Sequence, residues 1–481
     1  MNADHPSLKT ASHDLPLTER LAEFMRTGWA APTGAQPGQA EGAPFHARRR
    51  AALIALFPGE TLVVPSGQLR PRANDTDFEF RPGTEFAYLT GEYEPDSVLV
   101  IAADGEATVY RRPGSARDTD EFFMSRDGEL WVGRRWTLAE SEAALGVACA
   151  RLDELEKVLA GTDPVTTRVL RGYDSTVDSA VAADGEGLRD GELAAALSEL
   201  RLVKDTWEIA QLDDAVAATV RGFEDVVRAL PADRDSSERL VDGVFGLRAR
   251  HDGNLTGYGT IAAAGPNACT LHWWRNDGVC RPGELLLLDA GVENRHYYTA
   301  DVTRTLPISG QFTDVQRRVY DLVLAGQQAG IEAVRPGALW RDIHRACMRV
   351  IAAGLQEWGL LPIPAEESLR DDVGLHRRWT LHASGHMLGL DVHDCGRARA
   401  ETYLDGELRA GMVLTVEPGL YFQPDDETVP AELRGIGIRI EDDVLVTEDG
   451  CRVLSAALPR EAREVEQWMA AQRASGPRFP S

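Results

Sequence analysis

Lysine is almost missing from this chain. Only Lys9, Lys157 and Lys204 occur, so nearly all of the 51 basic side chains are arginine, set against 76 Asp and Glu. The formal charge of −25 excludes non-specific binding to nucleic acid or anionic membranes, because phosphate contacts need clustered cations. Apolar runs of about 18 residues are absent as well, so no segment is expected to span a bilayer. The opening MNADHPSLKTASHDLP has neither the basic nor the apolar region of a secretory signal. Cysteine is sparse and scattered (Cys149, Cys269, Cys280, Cys347, Cys395, Cys451), with no CxxC pair. That usage excludes a disulfide framework and leads us to expect reduced thiols in a cytoplasm.

What is present is enough apolar material to fold. The chain is 43 % hydrophobic and, at 481 residues, too long for one compact core. Residues 1–45 contain PTGAQPGQAEGAP and little apolar periodicity, and read as a flexible N-terminal tail with a short helix around Leu17–Met25. From His46 the pattern changes. HARRRAALIALFPGE is expected as a helix, TLVVPSG, EFAYLT, SVLVIAA and ATVYRR as strands, and LAESEAALGVACARLDELEKVLAG as helix again. This alternation defines an α/β N-terminal domain over residues 46–198. It holds no nucleophile elbow, P-loop or dinucleotide fingerprint, which points to a supporting role. Asp205-Thr206-Trp207-Glu208 has the form of a capping box opening a long amphipathic helix to Leu230. Helices are also expected over Ser237–Arg250, Asp314–Val334 and Arg341–Trp358, with strands between and after them. Residues 199–481 therefore read as an α+β domain, without a sequence repeat between its halves.

The chemistry collects in this second domain. In LLLLDAGVENRHYYTADVTRT the leucines run as a buried strand into Asp289, and Tyr297–Thr303 reads as its hairpin partner carrying Asp301. Two carboxylates brought together at a sheet end repel unless a cation lies between them. LHASGHMLGLDVHD places His382, His386 and His393 within twelve residues. GMVLTVEPGLY carries Glu417 at a strand end, and GIGIRIEDDVLVTEDG reads as a hairpin with Arg439 and Glu441 on one face by period two. Any one of these residues alone reads as a satisfied core histidine or a solvated acid. Two Asp, one His and two Glu on strand ends read as an oxygen-rich site for hard divalent metals.

The order Asp289, Asp301, His386, Glu417, Glu441 resembles the metal-ligand set of the pita-bread metallopeptidases, which include methionine aminopeptidase, prolidase and aminopeptidase P. DAG…TADVTRT, GHMLGLDVHD, TVEPGLY and GIGIRIEDD are most similar to aminopeptidase P, the Xaa-Pro aminopeptidases. TEFAYLTGEYEPDSVLVI and WVGRR resemble that family's N-terminal domain, so the likeness covers about residues 45–470. It implies a pita-bread fold for the catalytic domain and two divalent ions per chain, with Mn(II) the metal the family suggests. Four carboxylates, a neutral histidine and two divalent ions balance in charge. Such sites hold their ions about 3.5–4 Å apart and attack with a bridging hydroxide. The resemblance implies that Asp301 and Glu441 bridge both ions, that Asp289 binds one, and that His386 and Glu417 bind the other. It makes Glu417 the general base as well, and gives His382 and His393 the scissile and downstream carbonyls. His272 matches the residue lining the proline pocket, while Tyr421 and Arg439 match polar residues beside the metals.

Two departures stand out. The Asp289–Asp301 interval is one residue longer than in most relatives, which places His296 in a lengthened loop as a bystander. Ala87 stands where some relatives carry a tryptophan near the substrate. Arg134 and Arg135 read either as substrate contacts or as surface ion-pair partners. The expected activity is release of the N-terminal residue from short peptides or unfolded N-termini with proline second, by a homodimer or homotetramer. A prolidase restricted to Xaa-Pro dipeptides, a non-catalytic pita-bread binding protein and a metal-free creatinase-like hydrolase are the alternatives.

Overall fold

The computed structural model describes residues 17–30, 37–74, 76–124, 128–183, 185 and 187–476. The chain divides into two compact units, one up to Leu200 and one from Arg201. Of the expected tail, residues 1–16 and 31–36 lie outside the described residues. Between them α1 (Glu19–Met25) is capped by the Thr18 side chain.

The first unit is built on a five-stranded sheet. Its strands are β1 (Thr61–Pro65), β2 (Val98–Ile101), β3 (Ala107–Arg111), β4 (Ala148–Arg151) and β5 (Thr167–Val169), in the order β4-β3-β2-β1-β5. β2 runs antiparallel to both β1 and β3, whereas β4 and β5 join the edges in parallel. Val63, Val98, Val100 and Val169 meet Leu155, Leu159 and Val177 in its core. Ala43–Leu56 is helical, as HARRRAALIAL suggested.

Two expectations for this unit are corrected. EFAYLT is no strand but lies in the helix Thr84–Thr90, all seven of whose side chains are buried. A short continuous apolar run carries no usable period, and here Gly91 at φ 66° closes a helical turn onto the Ala87 carbonyl. The run 138–161 is not one helix. Leu138–Leu145 stops at Gly146 in the left-handed region, Ala148–Arg151 becomes β4, and helix resumes at Leu155–Ala160. Arg134 is tied to Glu140 at 2.6 Å, as a surface ion pair.

The second unit repeats one plan twice. Helices Thr206–Ala229 and Glu238–Asp252 cover an antiparallel sheet of β6 (Ile261–Ala264), β7 (Leu285–Ala290) and β8 (Val302–Pro307). Helices Asp314–Ala333 and Trp340–Glu357 stand in the same relation to β9 (Val413–Val416), β12 (Asp442–Val446) and β13 (Cys451–Val453). A pair of β10 (Gly419–Tyr421) with β11 (Gly437–Arg439) lies alongside. The capping box at Asp205 forms as read, with Asp205 accepting from Trp207 and Glu208 and Glu208 reaching back to the Asp205 N–H. Phe223, Val226, Phe245, Leu286 and Leu288 share one core, and Val323, Ile351, Leu414, Val416 and Val444 share the other. Period two then decides where the acids point. Leu286 and Leu288 face the helices, so Asp289 goes with Leu287, which packs against Ile261, Ala263 and Tyr421 on the opposite face. Leu414 and Val416 face their helices in the same way, which puts Thr415 and Glu417 on the inner side.

Two strand expectations are also corrected. The partner of β7 begins at Val302, not at Tyr297. Asn294 accepts the N–H groups of His296 and Tyr298, and Tyr297 sits at φ 67°, so residues 294–298 are a turn held by an Asn side chain. GIGIRIEDDVLVTEDG is not one hairpin by itself. β11 pairs with β10, while β12 pairs with β9 and, across the turn at 447–450, with β13, so the chain passes from one pairing to the other at Glu441. No helix among the described residues is long and apolar enough to cross a membrane.

Candidate metal centre

Asp289 near the end of β7, Asp301 just before β8, Glu417 just after β9 and Glu441 just before β12 all line one cavity of about 430 Å³ with His386. The sheets bring them there by close backbone approach. A Cβ on Gly291 would lie 1.6 Å from the Ala300 carbonyl oxygen, so only glycine lets the ends of β7 and β8 converge. His386 reaches the site because residues 384–387 run beside β9. Thr415 N–H donates to the His386 carbonyl (2.9 Å), Glu417 N–H donates to Ser384 (3.0 Å), and the His386 N–H donates to Thr415 Oγ1 (3.1 Å).

Asp301, His386 and Glu441 each present a ligand-type atom within 4.8 Å of the other two. His386 Nε2 stands 3.3 Å from Asp301 and 3.6 Å from Glu417. Its Nδ1 lies 3.1 Å from the Met387 carbonyl, which can only accept. That fixes the proton on Nδ1 and leaves Nε2 as the ligating nitrogen. Asp289 is held differently: Oδ1 accepts from the Tyr258 hydroxyl (2.7 Å) and Oδ2 from Arg439 (2.5 Å). The same Tyr258 hydroxyl also contacts Asp301. Asp289 and Glu417 therefore line the cavity outside the tight group of three.

Removing these acids from water favours their protonated forms. Burial, with the Asp301 charge adding to it, holds Glu441 well above the usual carboxylate range. Burial also raises Asp301, against the hydrogen bond from His386. Glu417 is pushed up to about 7 by burial, which His386 and Arg439 oppose. Burial would lower His386, but the Asp301 hydrogen bond and the Glu417 charge push it up to about 9. Acids this close bind protons when nothing else supplies positive charge. A divalent cation among four carboxylate groups and one imidazole is what the donor set fits, and the oxygen majority suits a hard ion.

The remaining expected residues surround this centre. Arg439 is buried and donates to the Tyr421 hydroxyl (2.8 Å) and to Thr303 Oγ1 (3.2 Å). The Tyr421 hydroxyl meets His382 Nε2 at 2.8 Å, and His382 Nδ1 lies 2.7 Å from the Ala383 carbonyl and 3.6 Å from Glu417. Burial, with Arg439 next, pushes His382 down to about 3, so this imidazole is neutral. His393 is exposed, its ring 4.3 Å from that of His386. His272, also exposed, stacks on Trp274 at 5.1 Å and 9°. His296 is away from the cavity lining and packs edge-on against Trp207. Ala87 is buried in its helix in the first unit.

Three residues at this site escaped the sequence reading. Tyr258 joins the two aspartates. Thr303 donates to Glu441 (2.7 Å) while accepting from Arg439. Asp443 accepts the Asp301 N–H at 3.1 Å. A tyrosine between Gly257 and Gly259 was a usable signal, because a Cβ on Gly257 would lie 1.8 Å from Thr299 Oγ1. Asp443 gave none, standing in the acidic run Glu441-Asp442-Asp443 beside one expected ligand.

Comparison with known proteins agrees with this class of site. Residues 210–448 match the family model of metallopeptidase family M24, and residues 46–165 match that of the aminopeptidase P N-terminal domain. Xaa-Pro aminopeptidase 1 of Streptomyces coelicolor is 56 % identical over 459 residues, covering 95 % of this chain and 93 % of that one. The Xaa-Pro aminopeptidase of Escherichia coli K12 is 34 % identical, over 89 % of this chain and 98 % of its own. Among solved structures, Pseudomonas aeruginosa aminopeptidase PepP superposes with a TM-score of 0.79 at 30 % identity, over 90 % of this chain and 99 % of that one. Aminopeptidase P from E. coli with the inhibitor Pro-Leu gives 0.78 at 30 %, over 91 % and 100 %. The fold and the centre are those of a pita-bread metallopeptidase, preceded in the sequence by an α/β N-terminal domain, and such a family implies divalent metal at the centre. The chain belongs to the Xaa-Pro aminopeptidases of metallopeptidase family M24. These relatives are named as aminopeptidases, which leaves the dipeptidase and non-catalytic alternatives without support.

Proposed function

We propose that this protein releases the N-terminal residue from peptides whose second residue is proline. Asp289, Asp301, His386, Glu417 and Glu441 are the ligands of two divalent ions, with Mn(II) the preferred metal. The observation that carries this reading is the convergence of these five side chains on one cavity that Arg439 and His382 also line, with the Tyr421 hydroxyl joining the two. Such ions, when bound, polarise the scissile carbonyl and make water acidic at neutral pH. Glu417 accepts the proton of the attacking water and returns it to the proline nitrogen as the bond breaks. Arg439 fixes Asp289 and the Tyr421 hydroxyl, which in turn orients the neutral His382 ring. His382 and His393 stand at the scissile and downstream carbonyls, where His393 offers an N–H, while the His382 N–H is engaged by the Ala383 carbonyl and its Nε2 accepts from the Tyr421 hydroxyl. The stacked His272 and Trp274 rings offer a flat apolar wall to the proline ring.

Proline in second position gives a tertiary amide without an N–H and a fixed backbone, so shape rather than a main-chain donor selects the substrate. Short peptides and unfolded N-termini are the substrates, in the cytoplasm, and the protein acts as a homodimer or homotetramer. The test compares Xaa-Pro with Xaa-Pro-Xaa peptides on the full chain, after chelation and after adding back single metals. Release of the first residue from the longer peptides, abolished by chelation and restored best by Mn(II), is expected. Cleavage of the dipeptide alone, or full activity in a rigorously metal-free preparation, would overturn the reading.

A further inference from the structure

A second cavity, of about 630 Å³, shares His382 and Ala383 with the metal-centre cavity. Its wall is made by the helix Trp340–Glu357, the turn Leu375–Arg378 and the segment leading to His382. Four arginines line it (Arg345, Arg349, Arg370 and Arg377) against one acid, Asp371. In a chain of charge −25 this is a local reversal of sign. Two of the arginines are already engaged, Arg345 with Asp342 at 3.3 Å and Arg370 with Asp372 at 2.8 Å. The other two contact only carbonyl oxygens: Arg349 meets that of Arg345 at 3.3 Å, and Arg377 meets that of Leu381 at 3.5 Å. Neither has a carboxylate within 4.0 Å among the described residues. Met348, Leu369 and the exposed Leu381 supply apolar surface between the charges. The cavity thus offers two unneutralised guanidinium groups above an apolar floor, at the side of the active site where His382 stands.

We infer that this cavity takes the part of a peptide substrate downstream of the proline, with Arg349 and Arg377 receiving a carboxylate there. The inference rests on the aminopeptidase reading, which puts the carbonyls of the bound peptide at His382 and His393, the first of which the two cavities share. The carboxylate comes from the C-terminus of a short peptide or from an acidic side chain of a longer one. Guanidinium groups suit either, because their planar fork matches a carboxylate. The cavity is open to water, so it adds selectivity of modest size that salt weakens.

The test is binding and does not depend on turnover. The probes are three proline-led peptides that mimic the product, Pro-Ala-Ala amide, Pro-Ala-Ala free acid and Pro-Ala-Glu amide. They are titrated calorimetrically into the metal-reconstituted full chain and into its R349M/R377M double variant. Wild type should bind at least one of the acidic probes roughly fivefold more tightly than the neutral amide at low salt. That ratio should shrink in high salt and fall to about one in the double variant. Preference for the free acid alone assigns the C-terminus, and preference for the Glu amide alone assigns an acidic side chain. Equal affinities in wild type, no measurable binding of any probe, or a ratio that survives the double substitution would each overturn the inference. Hydrolysis of Xaa-Pro-Xaa peptides without the ratio leaves the aminopeptidase reading standing alone. The ratio without hydrolysis defeats that reading and leaves the anion site.

Discussion

Strip the divalent metal from this protein and its stability should fall as the pH rises from about 5 to about 9. His386 is pushed from 6.5 up to about 9 in the folded protein. Its proton therefore stabilises the fold fully below about pH 6.5, and that contribution is lost as pH climbs through about 9. Glu417 moves from 4.5 up to about 7. The unfolded chain gives up this proton first, so the folded state loses ground from about pH 4.5 and carries the full cost above about pH 7. Both slopes have the same sign. Each displacement alone corresponds to on the order of 3 kcal/mol. The two groups stand 3.6 Å apart and titrate against each other, so together they are worth less than the sum. On a unit of this size about 1 kcal/mol moves Tm by roughly 2–4 °C, which predicts a fall of about 5–10 °C across the window. Bound metal needs the deprotonated ligands and stabilises most at the alkaline end, so the loaded protein should show a flatter profile. Scanning calorimetry of chelated and Mn(II)-loaded protein across this range reads both curves. A metal-free Tm that is level or rises with pH would refute the reasoning.

Three further outcomes follow from the site. Glu417→Gln keeps the size and one ligand oxygen but removes the base, and it should lower kcat by more than the roughly 10²–10⁴ of lost acid–base help, because the metal is perturbed too; steady-state kinetics at saturating metal that give ordinary turnover would require a different base. His386→Ala should bind metal more weakly and recover part of its activity in excess Mn(II), and a variant whose activity ignores metal concentration would remove His386 from the ligand set. Arg304→Met should cost about 3–5 kcal/mol in urea unfolding, since the buried guanidinium bonds Asp442 and the carbonyls of Thr303, Glu441, Leu458 and Pro459; a loss under about 1 kcal/mol would mean its neighbours re-pair without it.

The sequence was most legible where a long period or a local cap decided the structure. Asp205 opens its helix where the capping box says, and the helices expected from Ser237 and Asp314 begin at Glu238 and Asp314. It was least legible where several local readings satisfy the same residues. EFAYLT is apolar in every position and becomes a helix because Gly91 closes one. GIGIRIEDDVLVTEDG reads as a hairpin, yet its two strands pair with β10 and β9, which no local rule could assign, and only the turn at 447–450 makes a local pair, with β13. The repeated plan of the second unit is invisible to sequence comparison, because what recurs is the helix pair and the sheet rather than any residue. Within the site, the four carboxylates stand at strand ends whose periods could be read, whereas His386, also expected on a strand, lies in a loop segment beside β9. Tyr258, between Gly257 and Gly259, offered a local signal, whereas Asp443 acts through a contact across the fold that nothing in its own neighbourhood announces.

Why a metal belongs at this centre follows from where the buried positive charge is. Asp289 has Arg439 at 2.5 Å, and Asp442 has Arg304 at 2.8 Å. Both guanidinium groups are wholly enclosed, and each leaves its acid paired, as a buried carboxylate requires. Asp301, Glu417 and Glu441 have no arginine or lysine within 4.0 Å among the described residues, only His386 beside two of them. These three carboxyls are displaced toward the protonated form, as is Asp443 beside Asp301. The chain has thus met the demand of Asp289 and Asp442 with arginine and left it unmet at the centre itself. A third arginine there would fill the cavity that a substrate has to enter, whereas a compact divalent ion answers the same charge and leaves room for the peptide.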